Sequence, residues 1–209
     1  MPKAEPVFYW EANAQLKVRN IAFSCQTHDV KRGSIKVKVF DTDWLENGDI
    51  TWNPAARLKG WLKAQGGLLR PGYAEQIAGC IKVYPADGAM DSIVIAKAKE
   101  LVGSKTPPAP EGEFELPEGL PYPNKRFITV KGDRGKSRST TVYWFTLPKT
   151  IEVNLKIVSF ARSFSPEVIE GMMRKLGDKV GLGDKYSSGQ YGLFTVEKFE
   201  TRPKERIDI

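Results

Sequence analysis

The last third of the chain changes the spacing of its apolar residues twice, and this change limits the possible folds more than any other feature. Residues 151–157 alternate apolar and polar side chains, as a half-buried strand does. After Ser165, Pro166 and Glu167, which are typical of a helix start, apolar residues recur at helical spacing up to Val180. A glycine-rich loop at 181–192 and an apolar run follow. The sequence therefore predicts a strand, a helix, a glycine-rich loop and a further strand.

Five predicted elements set the fold class. They are a strand at about 15 to 24, a helix at about 71 to 83, a hairpin at about 139 to 158, a helix at about 165 to 179 and a strand at about 191 to 199. Their order is β-α-β-β-α-β, which is the order of a ferredoxin-like fold. We therefore predict an α+β protein with a ferredoxin-like β-α-β-β-α-β core and a C-terminal glycine-rich loop. The segments near 30–65 and 88–135 then become large insertions.

The length of 209 residues suits one domain that spans 1–209 and carries these insertions. A proline-rich segment, 106–123, contains six prolines and several acids, and it is predicted to be an extended connector. This connector either separates two domains or runs along the side of one. We favour the single domain.

The positive charge of the chain is concentrated in one segment. The net charge is +7, and residues 124–164 hold nine Lys or Arg residues and two acids. Within that segment a basic loop lies between two aromatic strands and carries Lys131, Arg134, Lys136 and Arg138. Such a loop can place several cations along a polyanion backbone, although charged hairpin tips also occur simply because they are solvated.

The glycine-rich loop allows two interpretations. Its glycines permit positive φ values and a close approach of the backbone to a phosphate, and Lys185 adds a cation. They are Gly181, Gly183, Gly189 and Gly192. The alternative is a tight turn with no ligand, since the spacing matches no nucleotide-binding fingerprint.

Aromatic residues of the predicted hairpin complete the candidate site. Tyr143 and Phe145 are candidates for stacking on bases, and Lys156 is a candidate for contact with phosphate. Alternation puts Val142 and Trp144 on the opposite face of the strand. One face must be core, and the sequence leaves open which one.

The predicted core, its large insertions and the glycine-rich loop just before the last strand resemble the RAMP superfamily of RNA-binding proteins, which occur in CRISPR effector complexes. The resemblance implies that the loop glycines pack against a nucleic-acid backbone. It also implies that the basic loop acts as an inserted finger.

The segment from Lys156 to Phe199 also resembles the ending of a set of uncharacterised tailed-phage proteins. Those proteins carry the pattern glycine, apolar, glycine, aspartate, followed by tyrosine, glycine, arginine, phenylalanine. Residues 181–184 and 191–194 match this pattern, except that Leu193 replaces the arginine. The replacement removes a cation from a loop that is expected to touch phosphate.

A catalytic role depends on the single histidine. His28 lies three residues after Cys25, which offers a base and a nucleophile close in sequence, and RAMP-like RNA-processing enzymes often use a histidine near the first helix. No orienting partner is identifiable, so a surface or turn histidine is the favoured interpretation. The acids Asp41, Asp43, Glu46 and Asp49 lack the spacing of a calcium loop and are interpreted as a solvated turn. No cofactor and no metal is predicted.

The sequence thus favours a non-catalytic binder of single-stranded nucleic acid, RNA or DNA, that assembles side by side along the strand. The alternatives are a phage or virus assembly protein that self-associates or binds an acidic protein partner, and an RNA-processing nuclease that uses His28. No apolar run is long enough to span a membrane, and the first residues, Met1 to Pro6, lack the apolar region of a secretory signal. We therefore expect a cytoplasmic protein of a bacterial or archaeal host cell, encoded by the host or by a phage.

Overall fold

The computed structural model describes residues 10–24, 27–40, 44, 47–86, 92–101, 114–115, 124–131, 137–160, 163–183 and 191–203. In chain order the elements are β1 (Trp10–Ser24), β2 (Thr27–Arg32), β3 (Ile35–Phe40), β4 (Asp49–Trp52), α1 (Pro54–Leu69), α2 (Tyr73–Cys80), β5 (Ile81–Pro85), β6 (Ile93–Lys97), β7 (Phe114–Glu115), β8 (Asn124–Lys131), β9 (Ser137–Ser159), α3 (Pro166–Lys179) and β10 (Leu193–Pro203). A three-residue 3-10 turn, Ala98–Glu100, follows β6.

The strands form three sheets. The main sheet has the strand order β10-β1-β9-β5 with antiparallel neighbours, and β8 adds to β9. A second sheet joins β2, β3 and β7, in which β7 runs parallel to β3. A two-stranded antiparallel sheet joins β4 and β6. Helices and largely antiparallel sheets together confirm the predicted α+β class.

One face of the main sheet packs against the helices. Alternate residues of β1 point to this face and are buried, among them Leu16 and Val18. They join Leu155 of β9 in a single apolar cluster. The helices contribute Leu58, Leu62, Ile77, Ile169, Met172, Met173 and Leu176 to the same cluster. The burial of these side chains is the main force that holds sheet and helices together.

The intervening residues form the other face of the main sheet, which we call the open face. Because paired residues of neighbouring strands emerge on the same side, the register identifies its members. They include Glu11, Asn13, Gln15, Lys17 and Arg19 of β1, Glu152, Asn154 and Lys156 of β9, Tyr84 of β5, and Leu193, Thr195, Lys198 and Glu200 of β10. All of them are exposed or half-buried. In the described part of the chain, the three helices pack on the other side.

The helix at the C-terminal end was predicted correctly. α3 begins at Pro166, and the Ser165 hydroxyl accepts a hydrogen bond from the Val168 amide, as expected of an N-cap.

The predicted helix at about 71 to 83 is only partly right. α2 ends at Cys80, and residues 81–85 form β5. Ile81 and Val83 alternate with polar neighbours, and their pairing with the end of β9 outweighs the helical pattern of the preceding residues.

The predicted hairpin at about 139 to 158 is wrong, because β9 runs without a turn from Ser137 to Ser159. Pro148 and Lys149, which indicate a turn, lie within the strand instead. Opposite them β1 is irregular: Arg19 pairs with Thr150 while Ile21 pairs with Leu147. Asn20 between them takes a positive φ of 49°. Proline lacks an N–H to donate to the ladder, and it is tolerated here because a bulge leaves a residue unpaired.

The proline-rich connector, 106–123, lies outside the described residues apart from β7, whose two residues pair with β3. The division of the chain into one domain with insertions therefore stays a prediction. Among the described helices, none has the length and apolar character needed to cross a membrane.

Candidate nucleic-acid interface

β8 and the first half of β9 form a hairpin that extends past the end of the main sheet. Their ladder runs from Asn124 opposite Trp144 to Lys131 opposite Ser137. β1 pairs with β9 only from Trp144 onward, where Ser24 is the partner. In the described strands, residues 137–143 therefore pair with β8 alone, and they extend about 20 Å beyond the last pair of β1. We call residues 124–143 the basic arm.

The basic arm has a strong excess of cations. Asp133 is its one acid, against six bases: Lys125, Arg126, Lys131, Arg134, Lys136 and Arg138. The register places Lys131 at the last pair of the ladder, and Arg138 lies opposite Val130. Arg134 and Lys136 belong to residues 132–136, which lie outside the described residues, as do the side chains of Lys131, Arg138 and Tyr143.

An aromatic pair lies where the basic arm joins the main sheet. Trp144 is the residue of β9 that pairs with both β1 and β8. Its ring contacts the ring of Tyr191 edge to face, with 6.2 Å between the ring centroids and an interplanar angle of 72°. Both side chains are half-buried. Partly open aromatic rings are the groups on which nucleobases stack, and we call this pair the arm root.

The structure identifies the core face of β9 in this region and corrects one candidate. Phe145 is 1% exposed and packs with Leu147, Ile50 and Ala96. A side chain in this position cannot stack on a nucleobase. Because side chains alternate along a strand, Trp144 emerges on the opposite side.

Three glycines of the predicted phosphate-binding loop contact the protein itself. Gly192 has a φ of +69°, and its amide donates to the carbonyl oxygens of Arg19 and Asn20 at 3.0 and 2.9 Å. A Cβ on Gly192 would lie 2.4 Å from the Gly183 nitrogen, and one on Gly181 would lie 2.4 Å from the Tyr191 carbonyl oxygen. These glycines allow two segments of the same chain to meet, so the tight-turn interpretation applies to them. Lys185 and Gly189 lie outside the described residues.

Lys156 is also less available than predicted. Its ammonium nitrogen lies 2.9 Å from a carboxylate oxygen of Glu11. The Glu11 side chain is 14% exposed, so the pair is shielded on one side from water. The charge of Lys156 is therefore largely balanced within the protein.

A second lysine of β9 is paired in the same way. The Lys149 ammonium donates to Glu100 at 2.9 Å, and Glu100 also accepts a hydrogen bond from the Lys97 amide at 2.7 Å. The hydrogen bond from Lys97, followed by that from Lys149, holds the pKa of Glu100 below the usual value of a glutamate. This pairing fastens the 3-10 turn to β9.

The catalytic alternative is not tested by the structure. The backbone of His28 lies in β2 opposite Val39, but its side chain and Cys25 lie outside the described residues. So do Asp41, Asp43 and Glu46, while Asp49 forms an ion pair with Lys97. Among the residues that the structure does describe, no three His, Cys, Asp or Glu side chains group closely enough to hold a metal ion.

Sequence reasoning missed three residues near the arm. Tyr191 contacts Trp144 although 47 positions separate them, and no local pattern signals that contact. Lys17 and Arg19 are exposed on the open face. Their alternation with Leu16 and Val18 signals exposure, but it does not show that they face the same side as Trp144.

No protein-family model matches the chain, and no curated protein sequence matches it. Among solved structures the chain is similar to a chain in the cryo-EM structure of the Type III-B Cmr-beta bound to cognate target RNA, with a TM-score of 0.43 and 17% sequence identity. The similarity covers 94% of this chain and 61% of that chain. This chain thus matches less than two thirds of the length of its neighbour.

Proposed function

We propose that the protein is a non-catalytic binder of single-stranded nucleic acid, RNA or DNA, and that the basic arm provides its main phosphate contacts. One observation carries the proposal: residues 124–143 contain six cations and a single acid, and the two strands described within them extend past the end of β1. Cations on a projecting hairpin can approach a polyanion backbone with little competition from carboxylates of the same segment. Neutralising phosphates and releasing their counterions then drives association.

The arm root supports the choice of a single strand. Base faces are accessible in a single strand and stacked on one another in a duplex. Trp144 and Tyr191 offer rings at the base of the arm, and stacking contributes about 1 to 3 kcal/mol per base with little sequence preference. Binding is accordingly expected to tolerate most sequences.

The main sheet supports a proposal about the fold. If β1, β5, β9 and β10 are the four strands of a β-α-β-β-α-β chain, their order in the sheet is fourth, first, third, second. Helices α1 and α2 precede β5, and α3 precedes β10. This arrangement fits a ferredoxin-like core. The RAMP resemblance, the assembly of copies along one strand and contact with an acidic protein partner are further proposals that follow from the sequence.

The proposal is tested by fluorescence anisotropy with labelled single-stranded RNA and DNA at several salt concentrations. The key variant changes Lys131, Arg134, Lys136 and Arg138 together to Ala. Because each phosphate contact on a single strand contributes about 0.7 to the slope of log affinity against log salt, we expect the slope to fall by about 3. The affinity at low salt falls with it.

A matched control removes the same charge from the helix side of the protein. It changes Lys59, Lys63, Lys175 and Lys179, which lie on α1 and α3, to Ala. We expect this control to bind nearly as the parent does. If both variants lose affinity equally, net charge rather than the arm determines binding. If the parent binds no oligonucleotide at low salt, the alternative of a protein-interaction protein is favoured. Cleavage of the recovered strand that a His28→Ala variant abolishes would favour the nuclease.

A further inference from the structure

Three cations form a row on the open face of the main sheet. Lys17 and Arg19 are alternate residues of β1, so their side chains emerge on one side about 6.6 Å apart along the strand. Lys198 of β10 lies opposite Gln15, the next residue of β1 on that side. The three cations therefore lie at successive open-face positions of β1, which are two residues apart. We call Lys198, Lys17 and Arg19 the cationic row.

The members of the cationic row differ from Lys156 and Lys149 of β9 in having no carboxylate partner among the described residues. Lys156 and Lys149 are held by Glu11 and Glu100. Within the described residues, Lys17, Arg19 and Lys198 are exposed and form no ion pair. An exposed cation without a partner keeps its full charge for an external anion.

Three acids lie beside the row. Glu197 of β10 accepts a hydrogen bond from the hydroxyl of Thr195, which lies opposite Lys17. Glu152 lies opposite Lys17 on β9, and Glu200 lies opposite Asn13 on β10. Carboxylates repel phosphate, so the phosphates of a bound strand are expected at the three cations and not at these acids. The row begins at Arg19, whose carbonyl oxygen accepts from the Gly192 amide, one residue away from Tyr191 of the arm root. The cationic row thus starts beside the arm root.

An exposed aromatic ring lies at the far end of the same face. Tyr84 of β5 is opposite Lys156 and is 46% exposed. Along β9, Trp144 and Lys156 are twelve residues apart, which corresponds to about 40 Å. Aromatic rings at both ends with cations between them match the composition of single-strand binding grooves, whose sites take about 4 to 16 nucleotides.

We infer that a single strand bound by the basic arm continues across the open face, with phosphates at Lys17, Arg19 and Lys198 and a base stacked on Tyr84. This inference rests on the proposed function. It adds a second surface to the arm, and it defines how long a strand must be to reach full affinity.

The test measures the affinity of oligouridine and oligo-deoxythymidine strands from about 4 to 16 nucleotides long. For the parent we expect the affinity to rise with length until the strand spans both surfaces. The triple variant Lys17→Ala, Arg19→Ala, Lys198→Ala should lose at least about tenfold for the longest strands, with a salt slope lower by about 2. The shortest strands, which the arm holds, should bind it nearly as they bind the parent.

Tyr84 is tested separately. Tyr84→Ala should weaken long strands by about 5-fold to 150-fold, which corresponds to the loss of one stacked base, while Tyr84→Phe should bind as the parent does. A control triple, Lys63→Ala, Lys175→Ala, Lys179→Ala, removes equal charge from the helix side. Urea unfolding of each variant shows whether it is folded.

The outcomes separate the inference from the proposed function. If the arm variant loses binding while the triple variant and Tyr84→Ala bind every length as the control does, the open face is not a binding surface and the inference is overturned alone. If the parent binds no strand at low salt, both are overturned. If the affinity of the parent rises with strand length and only the open-face variants lose this rise, the proposed function and the inference are both supported.

Discussion

Gly192 holds the turn before β10 against the end of the regular part of β1. Its φ of +69° is unfavourable for any residue with a side chain, and a Cβ would meet the Gly183 nitrogen at 2.4 Å. We expect Gly192→Ala to lower the free energy of unfolding by about 2 kcal/mol or more, since left-handed strain alone costs about 1 to 3 kcal/mol. Urea unfolding with linear extrapolation measures the change.

The control for this prediction is Gly60→Ala. Gly60 is exposed inside α1, and a Cβ there has no neighbour within 4 Å. Alanine in an exposed helix interior is favoured over glycine by about 1 kcal/mol, so this variant should be more stable than the parent. If Gly192→Ala unfolds at the same urea concentration as the parent, the close packing of Gly192 against Gly183 is wrong.

Glu100 gives a prediction about pH. Hydrogen bonds from the Lys97 amide and the Lys149 ammonium hold the pKa of Glu100 below its value in the unfolded chain, which is about 4.3. A depressed pKa in the folded state adds stability above the unfolded pKa, and this contribution is lost as the pH falls through the folded pKa. We expect Glu100→Gln to unfold at lower urea than the parent near pH 7. The two midpoints should converge as the pH falls through the folded pKa of Glu100, and a difference that stays constant as the pH is lowered contradicts the assignment.

At the scale of elements, α1 begins at a side-chain cap. The Asn53 amide oxygen accepts a hydrogen bond from the Ala56 amide at 2.8 Å, and Pro54 occupies the first turn. Replacing such a cap with alanine costs about 1 kcal/mol. We therefore expect Asn53→Ala to destabilise the protein by about that amount and Asn53→Ser to retain most of the stability, as measured by urea unfolding. Equal losses in both variants would mean that the cap hydrogen bond contributes little.

The elements also show which signals in the sequence are local. α3 could be predicted because Ser165, Pro166 and the helical spacing of its apolar residues lie within one stretch of chain. β9 could not, because Pro148 and Lys149 indicate a turn to any local rule. The strand continues through a bulge, in which Pro148 and Lys149 of β9 lie opposite the single residue Asn20 of β1, more than a hundred residues away. The slip in the alternation of β1 at Asn20 is visible in the sequence, but it does not identify the partner strand.

At the scale of the whole molecule, we predict that the basic arm is separable from the core. Among the described residues, 127–131 pair only with 137–141, and Arg126 lies opposite Val142. We expect replacement of 127–141 by Asn-Gly, which forms a tight hairpin turn, to leave one cooperative unfolding transition within a few degrees of the parent. Single-strand binding should be lost. Thermal unfolding by circular dichroism and anisotropy measure the two effects, and a broad or much lower transition would show that the arm belongs to the core.

The sequence predicts where positive charge is concentrated, but it does not predict which of the cations are available to a ligand. The concentration of bases in the arm is readable directly. Whether a given lysine is available depends on partners that are far away in the chain: Lys156 is paired with Glu11 across the β1–β9 ladder, whereas Lys17 on the same face has no such partner among the described residues. The sequence likewise cannot show that the ring of Trp144 rather than that of Phe145 is accessible, because this depends on the packing of β6 and the 3-10 turn against β9.

The central position of β1 in the main sheet has a consequence for the making of the protein. β1 leaves the ribosome more than a hundred residues before its two neighbours, β9 and β10. Leu16 and Val18 are fully buried only after both β9 and β10 have paired with β1. Such long-range pairing slows folding. The sheet is therefore completed only after β10 has been synthesised, and until then the nascent chain exposes an apolar strand that is prone to aggregate.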